Sequence, residues 1–422
     1  MQTMIIPQLG EAKYDSPVTF SVSEETFSPA NVRWPGGTVP EDLLLFEIAG
    51  PRKKLFFDAK NTRAAIVTCG GLCPGLNNVI RSVTRELIRG YGVNTVLGIR
   101  GGYRGLDPDR GKSPILLTDD LVENIHKEGG TMIGTSRGPV DTKVAVDFLI
   151  QNDISMLFTV GGDGTQRGGY DLFEEARKRG HHLAVVGIPK TIDNDVHFVT
   201  RTFGFDTAVE EAVRVINSAH TEARSVENGI AVVKLMGRHA GFIAAAATVA
   251  SQDVNFCLVP EVPFVLDGTG GLFAAMERRL ARKSHAVLVV AEGAGQDLLD
   301  ASDRRDESGN LKLNDIGPFL GDAFKAHFKA RGIDMTLRYF DPSYQIRGCP
   351  ANTQDALVCD FMGRHAVHAA MSGRTGLVIS FLHGHFVHVP TGIIAGGSKR
   401  LELNGELWHA VLSSTRQRAM FQ

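Results

Sequence analysis

The sequence predicts an α/β fold with mainly parallel sheets covered by helices. Six short runs are apolar almost throughout, and they occupy residues 64–69, 155–160, 182–188, 230–236, 286–292 and 376–382. Such runs are typical of strands buried on both faces, because a strand with one solvent face alternates between apolar and polar residues. Segments such as 206–225 carry Val, Ile and Ala at helical spacing. The alternation of strands with helices is the pattern of α/β proteins.

Length and composition narrow the class of protein. A chain of 422 residues allows two or three domains, and 43% hydrophobic with 22% charged residues is ordinary for a globular protein. A net charge of −2 does not favour nucleic acid or a membrane as partner. No apolar stretch approaches the length of a membrane span, and the N-terminus lacks the pattern of a secretion signal. Five scattered cysteines favour reduced thiols and therefore a cytoplasmic location.

Two segments lie outside the strand and helix pattern. Residues 1–60 are mixed in composition apart from an apolar patch at 42–48, so we expect an extension that packs on the core rather than a domain. The polar stretch 303–315 is expected to be an exposed loop.

Glycines and charges follow the predicted strands. In open parallel sheets ligands bind beyond the carboxyl ends of the strands. The segments found there are GGLCPGLN (70–77), GGDGT (161–165), PKTIDND (189–195), GRHAG (237–241) and GAGQD (293–297). These are the residue types that a phosphate site requires.

GGLCPGLN is predicted to be a turn from strand to helix. Its glycines expose backbone N–H groups, Pro74 suits the first turn of a helix, and free amides at a helix N-terminus attract phosphate. The alternative is a tight turn that binds nothing.

GGDGT is predicted to bind a polyphosphate. Gly161, Gly162 and Gly164 allow phosphates to approach the backbone closely. Asp163 beside phosphates is costly unless a divalent cation bridges them, which implies Mg²⁺. The alternative is a glycine turn with a solvated aspartate.

TIDND supplies two carboxylates. If the segment is extended, Asp193 and Asp195 point the same way, so one could lie near a metal and the other near a hydroxyl. An aspartate can act as the general base in phosphoryl transfer. The alternative is turn chemistry around Asn194.

Two other motifs are rejected. RGKS (110–113) lacks the first glycine of a phosphate-binding P-loop and does not follow a strand. HGHFVH (383–388) has three histidines but no adjacent carboxylate or cysteine, so ordinary histidines at a strand end are preferred to a metal site. The dinucleotide-binding pattern GxGxxG is absent from the sequence.

Together the motifs resemble those of the 6-phosphofructokinase family over roughly residues 50–400. GGDGT is shared with kinases that act on NAD or diacylglycerol, whereas TIDND followed by MGR at this spacing is highly specific. The shared motifs, in order, are GGLCPGLN, IGTSRG (133–138), GGDGT, PKTIDND, FGFDTAV (203–209), KLMGR (234–238), AEG (291–293) and RYFDPSYQIRG (338–348).

The resemblance implies a two-lobed fold, with 61–204 and 348–395 as the nucleotide-binding lobe and 205–347 and 396–422 as the sugar-phosphate-binding lobe, after an N-terminal extension, 1–60. It implies transfer of a phosphoryl group to the 1-hydroxyl of fructose 6-phosphate, giving fructose 1,6-bisphosphate in glycolysis. It also implies a homodimer or homotetramer, often allosteric, whose sugar-phosphate sites are finished by a neighbouring subunit.

The resemblance also assigns roles to residues. Asp193 would be the general base, Thr191 and Asp195 would complete the reacting centre, and Arg238 would stabilise the transferring phosphoryl group. Asp163 would position Mg²⁺. The donor would be held by Gly71, Arg137, Gly162, Gly164, Thr165 and Lys190. The sugar phosphate would be held by Met236, Gly237, Arg238, Glu292, Arg338, Tyr344 and Arg347.

The chain departs from the family pattern at two positions. Many members have His where this chain has Tyr344. Many also supply a phosphate-binding arginine across a subunit interface, nine residues before Arg238, and Gly229 occupies that position here.

The residues at positions 190 and 164 favour different phosphoryl donors. Lysine at position 190 is typical of the pyrophosphate-using branch, but that branch usually has Asp in place of Gly164. Because a carboxylate at 164 would point to where the α-phosphate of ATP must lie, we predict ATP as the donor and keep pyrophosphate as the alternative.

Two further alternatives concern the activity itself. A catalytically silent regulatory subunit is disfavoured by intact Asp163, Thr191, Asp193 and Arg238. An NAD or lipid kinase would not need Arg338 and Arg347.

Overall fold

The computed structural model describes residues 1–32, 39–300, 313–394 and 397–421. The predicted loop at 303–315 therefore lies largely outside the described residues. The chain divides into two compact units, the first comprising 1–192, 196–204 and 348–398, and the second 193–195, 205–347 and 399–422.

The first unit is built on a large sheet and a two-stranded ribbon. Its strands, numbered along the whole chain, are β1 Gln2–Thr3, β2 Tyr14–Asp15, β3 Phe27–Pro29, β4 Leu44–Ile48, β5 Lys54–Leu55, β6 Arg63–Thr68, β7 Thr95–Arg100, β8 Lys112–Leu116, β9 Ile154–Gly161, β10 Ala184–Pro189, β15 Leu377–Leu382 and β16 His385–Pro390. Its helices are α1 Leu76–Arg85, α2 Thr142–Gln151, α3 Asp163–Lys178, α9 Thr353–Met371 and α10 Thr391–Ile394.

The large sheet has the order β1-β4-β16-β15-β10-β9-β6-β7-β8, with β3 paired to β4, while β2 and β5 form the ribbon. The five strands from β15 to β7 are parallel, as predicted. The antiparallel strands β16 and β8 flank this parallel centre. Strands β1, β3 and β4 of the N-terminal residues extend the sheet beyond β16.

A hydrophobic core lies on each face of the large sheet. Ala64 and Ile66 of β6 belong to one core, which includes residues of α1 and α9. Ala65 and Val67 belong to the other core, which includes residues of α2 and α3. Because successive residues of a strand point to opposite faces, a strand covered on both sides must be apolar throughout. This is why the apolar runs predicted the strands correctly.

The second unit contains a parallel sheet of order β12-β13-β11-β14. Its strands are β11 Gly229–Leu235, β12 Phe256–Leu258, β13 His285–Ala291 and β14 Thr336–Phe340. Its helices are α4 Phe205–Arg224, α5 Phe242–Ser251, α6 Leu272–Lys283, α7 Ile316–Ala330, α8 Ser343–Gly348, whose residues 343–347 belong to this unit, and α11 Glu406–Thr415. The predicted helix at 206–225 is confirmed as α4.

Among the described residues, none of the helices combines the length and the apolar character that crossing a membrane demands. The rejected P-loop motif, RGKS, runs into strand β8 rather than into a helix.

Candidate active site

Three loops of the first unit leave neighbouring strands at the same edge of the large sheet. The loop 70–77 follows β6, the loop 161–165 follows β9, and Lys190 follows β10, and these strands are adjacent in the order β10-β9-β6. Since parallel strands end at the same edge, the three loops lie side by side. We call them, together with residues 133–138, the glycine edge.

The loop 161–165 turns directly into helix α3, which begins at Asp163. A Cβ on Gly161 would lie 2.2 Å from Oγ1 of Thr165, so this turn requires glycine. A Cβ on Gly164 would have no atom within 4 Å, so the fold does not require glycine there. Gln166 fixes the loop, because its Nε2 donates to the carbonyl oxygen of Gly161 at 2.9 Å.

The loop 70–77 is tied to the segment 133–138. The backbone N–H of Gly70 donates to the carbonyl oxygen of Ser136 at 3.0 Å. The Thr135 hydroxyl donates to the carbonyl oxygen of Gly70 at 2.7 Å. Nη2 of Arg137 lies 3.6 Å from where a Cβ of Gly71 would be. The structure therefore brings Arg137 to the glycine edge.

The expected role of Pro74 is wrong in detail. Helix α1 begins at Leu76 with Gly75 as its N-cap, so Pro74 precedes the helix instead of lying in its first turn. Gly75 has a φ of 103°, and a Cβ there would lie 2.6 Å from the sulfur of Cys359. A left-handed backbone in such a close contact leaves room only for glycine.

Lys190 connects two of these loops. Its backbone N–H donates to the carbonyl oxygen of Gly161 at 2.9 Å. Its Nζ donates to the carbonyl oxygen of Gly71 at 2.7 Å, and the residue is 7% exposed. The next residue, Thr191, accepts a hydrogen bond at its carbonyl oxygen from the Thr202 hydroxyl at 2.7 Å. The charged residue that follows β10 thus holds the glycine edge together.

The predicted extended conformation of TIDND is wrong. Asn194 has a φ of 56°, so the chain turns between Asp193 and Asp195. Asparagine is among the residues that tolerate the left-handed region, because its short side chain can form local hydrogen bonds. The carbonyl oxygen of Asp195 accepts a hydrogen bond from the backbone N–H of Lys399 at 2.7 Å. The two carboxylates come together through this turn and not through strand alternation.

The surroundings of Asp193 raise the pKa of its carboxyl group. Burial raises the pKa of Asp193 to about 7, and the negative charges of Asp195 and Glu292 act in the same direction. A hydrogen bond from the backbone of Arg238 and the positive charge of Arg347 oppose this rise of the pKa. A base works best when its pKa lies near the working pH. We call these five residues the carboxylate cluster.

The carboxyl ends of β11 and β13 build the rest of the cluster. The backbone N–H of Gly293 donates to the carbonyl oxygen of Gly237 at 3.1 Å. Gly237 has a φ of 125°, which side-chain-bearing residues rarely adopt. A Cβ on Gly293 would lie 1.9 Å from the carbonyl oxygen of Arg238. These glycines let the turns that carry Met236, Arg238 and Glu292 pack closely.

Arg338 and Arg347, the two arginines predicted to hold the sugar phosphate, lie in different surroundings. Nε of Arg347 lies 3.2 Å from the sulfur of Met236, and its guanidinium lies 5.8 Å from the ring centre of Tyr344, which is 84% exposed. Arg338 pairs in register with Ala231, five residues before Met236. At about 3.3 Å per residue, the backbone of Arg338 therefore lies roughly 16 Å along the strand from Met236, where the turn after β11 begins. Arg347 therefore belongs to the carboxylate cluster, and Arg338 does not.

Arg338 has its own partner on the surface of the second unit. Its Nε lies 3.7 Å from a carboxylate oxygen of Glu222, near the C-terminus of α4. Gly229, at the position where the resemblance led us to expect a phosphate-binding arginine, lies nearby on β11. A Cβ there would lie 2.1 Å from the carbonyl oxygen of Ala223, so the backbone leaves no room for a side chain.

Sequence reasoning missed the residues that hold these loops, such as Gln166 and Thr135. The only signal for Gln166 was its place directly after GGDGT, where a side chain on the first turn of a helix can reach back to the strand. Thr135 gave no signal, since its contact with Gly70 depends on how the segment 133–138 folds over the loop.

Comparisons with known proteins agree with these motifs. Residues 63–370 match the family described as Phosphofructokinase. An ATP-dependent 6-phosphofructokinase of Borreliella burgdorferi is 46% identical, covering 98% of this chain and 96% of the relative. One from Amycolatopsis methanolica is 43% identical, covering 98% and 94%. One from Trypanosoma brucei brucei is 48% identical, covering 88% and 76%.

Solved structures show the same fold. A pyrophosphate-dependent phosphofructokinase from Nitrosospira multiformis superposes with a TM-score of 0.70 at 19% identity, covering 85% of this chain and 92% of that one. One from Marinobacter aquaeolei gives a TM-score of 0.69 at 20% identity, covering 84% and 91%. The match over 63–370 and the extensive identity to these relatives establish that the chain is a member of the phosphofructokinase family.

Proposed function

We propose that this protein is an ATP-dependent 6-phosphofructokinase, which converts fructose 6-phosphate and ATP into fructose 1,6-bisphosphate and ADP. The observation that carries the proposal is Asp193, a carboxylate of raised pKa bordered by Arg238 and Arg347. The names of the relatives from Borreliella burgdorferi and Amycolatopsis methanolica support the same activity.

In this mechanism Asp193 accepts the proton of the sugar 1-hydroxyl. The hydroxyl oxygen forms a bond to the γ-phosphorus of ATP, and the bond between that phosphorus and the bridging oxygen breaks, releasing ADP. Negative charge is spread over the transferring group, so Arg238 and Arg137 are assigned to stabilise it. Arg347 and Tyr344 are assigned to the sugar phosphate, since an arginine can grip a phosphate through two hydrogen bonds.

Mg²⁺ is part of the proposal, with Asp163 as its protein ligand. Among the described residues no group of three or more His, Cys, Asp or Glu could hold a metal ion. Mg²⁺ in kinases is commonly bound through one or two carboxylates together with the phosphates of the substrate, so a single aspartate in a glycine loop fits it. When bound, the ion would neutralise charge on the donor phosphates.

Gly164 supports ATP rather than pyrophosphate. Its position is open, since a Cβ there would have no atom within 4 Å, and glycine leaves that space to the nucleotide. Lys190 is compatible with either donor, because a cation near the terminal phosphate helps both. Pyrophosphate remains the second candidate, since lysine at this position is typical of the pyrophosphate-using branch.

We further propose a homodimer or homotetramer in which Arg338 serves the sugar-phosphate site of a neighbouring subunit. Its place on the exposed side of β14, away from the carboxylate cluster of its own chain, supports this assignment. A cytoplasmic role in glycolysis is proposed from the reaction and from the five scattered cysteines of the sequence, a pattern that favours reduced thiols.

The direct test is an assay of fructose 6-phosphate phosphorylation with Mg²⁺, using ATP or pyrophosphate as the sole donor. Activity with ATP alone is the expected result. Activity with pyrophosphate alone would overturn the donor assignment, and activity with neither would overturn the proposed reaction.

A further inference from the structure

An ion pair continues the junction of strands β11 and β14 beyond their last backbone pairing. The parallel register ends with Val233 opposite Phe340. The residues that follow Val233 and Phe340 in sequence are both charged, and Nζ of Lys234 lies 2.8 Å from Oδ2 of Asp341. The lysine side chain is 12% exposed and the aspartate side chain 29% exposed. The pair is therefore shielded from water more than an ordinary surface salt bridge.

The second carboxylate oxygen of Asp341 fixes the start of helix α8. Its Oδ1 accepts a hydrogen bond from the backbone N–H of Ser343 at 3.1 Å and another from the Ser343 hydroxyl. Inside this turn the N–H of Ile346 donates to the carbonyl oxygen of Pro342 at 2.9 Å. Burial acts to raise the pKa of Asp341, yet hydrogen bonds from Lys234 and Ser343 hold it below its ordinary value. Asp341 thus joins the lysine of β11 to the first turn of α8.

Helix α8 carries two residues assigned to the sugar phosphate, Tyr344 and Arg347. Arg347 contacts the sulfur of Met236, which lies two residues after Lys234. The helix is therefore attached to the chain leaving β11 at two points. One is the Lys234–Asp341 pair at its start, and the other is the contact of Arg347 with Met236 near its end.

We propose that Lys234 and Asp341 are positioning residues, which hold α8 so that Arg347 and Tyr344 are oriented for the phosphate of the acceptor sugar. This inference rests on the proposed function. Neither residue needs to touch the substrate, because their effect passes through the orientation of a short helix. A six-residue helix makes few hydrogen bonds of its own, so its position depends on such contacts.

The same lysine offers a matched control. Its Nζ also lies 3.0 Å from Oδ1 of Asp315, the N-cap of helix α7, whose side chain is 51% exposed. Asp315→Asn keeps a good N-cap and leaves Lys234 paired to Asp341. Asp341→Asn keeps an acceptor for Ser343 but removes the charge that pairs with the lysine. Each variant removes one carboxylate charge that pairs with Lys234. Only Asp341→Asn removes a charge next to the start of α8.

The kinetic experiment compares Lys234→Met, Asp341→Asn, Asp315→Asn and Lys234→Arg with the unchanged enzyme. Lys234→Met and Asp341→Asn are expected to raise the KM for fructose 6-phosphate about tenfold, with kcat and the KM for ATP within about twofold. Asp315→Asn is expected to behave like the unchanged enzyme, and Lys234→Arg to restore most of the affinity for the sugar phosphate. Two results would overturn the proposal. One is a KM for fructose 6-phosphate in Lys234→Met that stays within about twofold of the unchanged enzyme, and the other is an equal rise of the KM values for fructose 6-phosphate and ATP.

A second measurement does not depend on activity. Hydrogen exchange of the amides of α8, including that of Ile346, is expected to be faster in Lys234→Met and Asp341→Asn than in Asp315→Asn. Unchanged exchange in α8 would overturn the positioning role even if the enzyme proved to act on another substrate. If Lys234→Met fails to fold, Asp341→Asn decides the outcome by both measurements.

Discussion

Nζ of Lys190 donates a hydrogen bond to the carbonyl oxygen of Gly71 over 2.7 Å. The contact joins the loop after β10 to the loop after β6, while the backbone of Lys190 binds the loop after β9. A lysine here therefore has a structural task that does not depend on which phosphoryl donor the enzyme uses. The residue that marks the pyrophosphate-using branch can thus be retained in an enzyme that uses ATP, and Gly164 becomes the more informative position.

Gly164→Asp is expected to damage the use of ATP selectively. Two unit charges about 4 Å apart at an effective dielectric of 20 repel by roughly 4 kcal/mol, or about a thousandfold in affinity. Because a Cβ at this position meets no atom within 4 Å, the fold should accept the new side chain. The measurement is kcat/KM for ATP and for pyrophosphate. Gly164→Asn adds the same bulk without the charge, and a loss as large as that of the aspartate would contradict the electrostatic argument.

The rate is expected to depend on the protonation of Asp193. Since its pKa is raised to about 7, a growing fraction of the enzyme carries a protonated Asp193 as the pH falls through 7, and a protonated carboxyl cannot accept the sugar proton. The value of kcat/KM for fructose 6-phosphate should therefore decline below about pH 7. Glu292→Gln removes a negative charge that raises this pKa, so the decline should move to lower pH.

The matching substitution is Asp193→Asn, which keeps the size of the side chain and removes the base. Loss of a general base costs on the order of a hundredfold or more in kcat, while binding of the sugar phosphate should be largely intact. A variant that kept more than about a tenth of the rate would rule out Asp193 as the base.

The role assigned to Arg338 can be tested by subunit complementation. Asp193→Asn and Arg338→Ala are each expected to be poorly active alone. When both chains are expressed together, mixed oligomers should contain sites with an intact Asp193 from one subunit and an intact Arg338 from its neighbour. We expect activity above the sum of the two variants.

The control for this experiment pairs Asp193→Asn with Arg347→Ala. Both of these residues belong to the carboxylate cluster of one chain, so mixing should leave every site defective. Equal recovery in the two mixtures would contradict the assignment of Arg338 to a neighbouring subunit. No recovery in either mixture would place Arg338 at a site within its own chain or outside the site altogether.

The central strands could be predicted from sequence because their burial on both faces leaves an unbroken apolar run. The antiparallel strands that flank them could not, since β16 carries the polar His385 and His388 and β8 contains a proline, Pro114. Strand β16 pairs with β15, the strand just before it, and also with β4, which lies near the other end of the chain. The apolar patch at 42–48 was visible, but not its place as strand β4 opposite β16.

The candidate site was predictable where the motif itself carries the geometry. Glycines in 161–165 allow the turn that the structure shows, so their grouping with Asp163 followed from the pattern. The turn at Asn194 agrees with the alternative considered for TIDND, but the pattern alone did not decide the matter, because a sequence with two aspartates fits both an extended and a turned backbone. The pairing of Lys234 with Asp341 was invisible as well, since it depends on the register of β11 against β14, which joins residues more than a hundred positions apart.

A buried charge cluster attaches strand β4 to its neighbours in the first unit. Glu47 accepts hydrogen bonds from Nη2 of Arg374 at 2.6 Å and from Nδ1 of His388 at 2.8 Å. Arg52 lies 3.1 Å from the same carboxylate. A second carboxylate, Glu24, lies 3.5 Å from Nη2 of Arg374, but its side chain is 67% exposed. The buried part of the cluster therefore holds two arginines and one carboxylate, which disfavours further protonation nearby. His365 lies close enough to be affected, and its ring stacks on that of Phe386 at 4.7 Å.

The stability of the protein is expected to fall in mild acid because of His365. Burial lowers the pKa of His365 to about 4, and His388, Arg52 and Arg364 act in the same direction. In the unfolded chain the pKa returns to about 6.5, so the unfolded state binds a proton between pH 6.5 and 4 that the folded state does not. The free energy of unfolding should therefore decrease as the pH falls through this range.

The variant His365→Phe tests this source of acid sensitivity. Phenylalanine keeps the ring stacked on Phe386 but cannot take up a proton, so the free energy of unfolding should change less between pH 7 and pH 5 than in the unchanged protein. Urea denaturation at the two pH values measures the difference. His385→Phe removes an exposed histidine of strand β16, next to Phe386 in sequence, and serves as the control that should keep the acid sensitivity of the unchanged protein. If both variants lose stability in acid as the unchanged protein does, the acid sensitivity arises elsewhere in the chain.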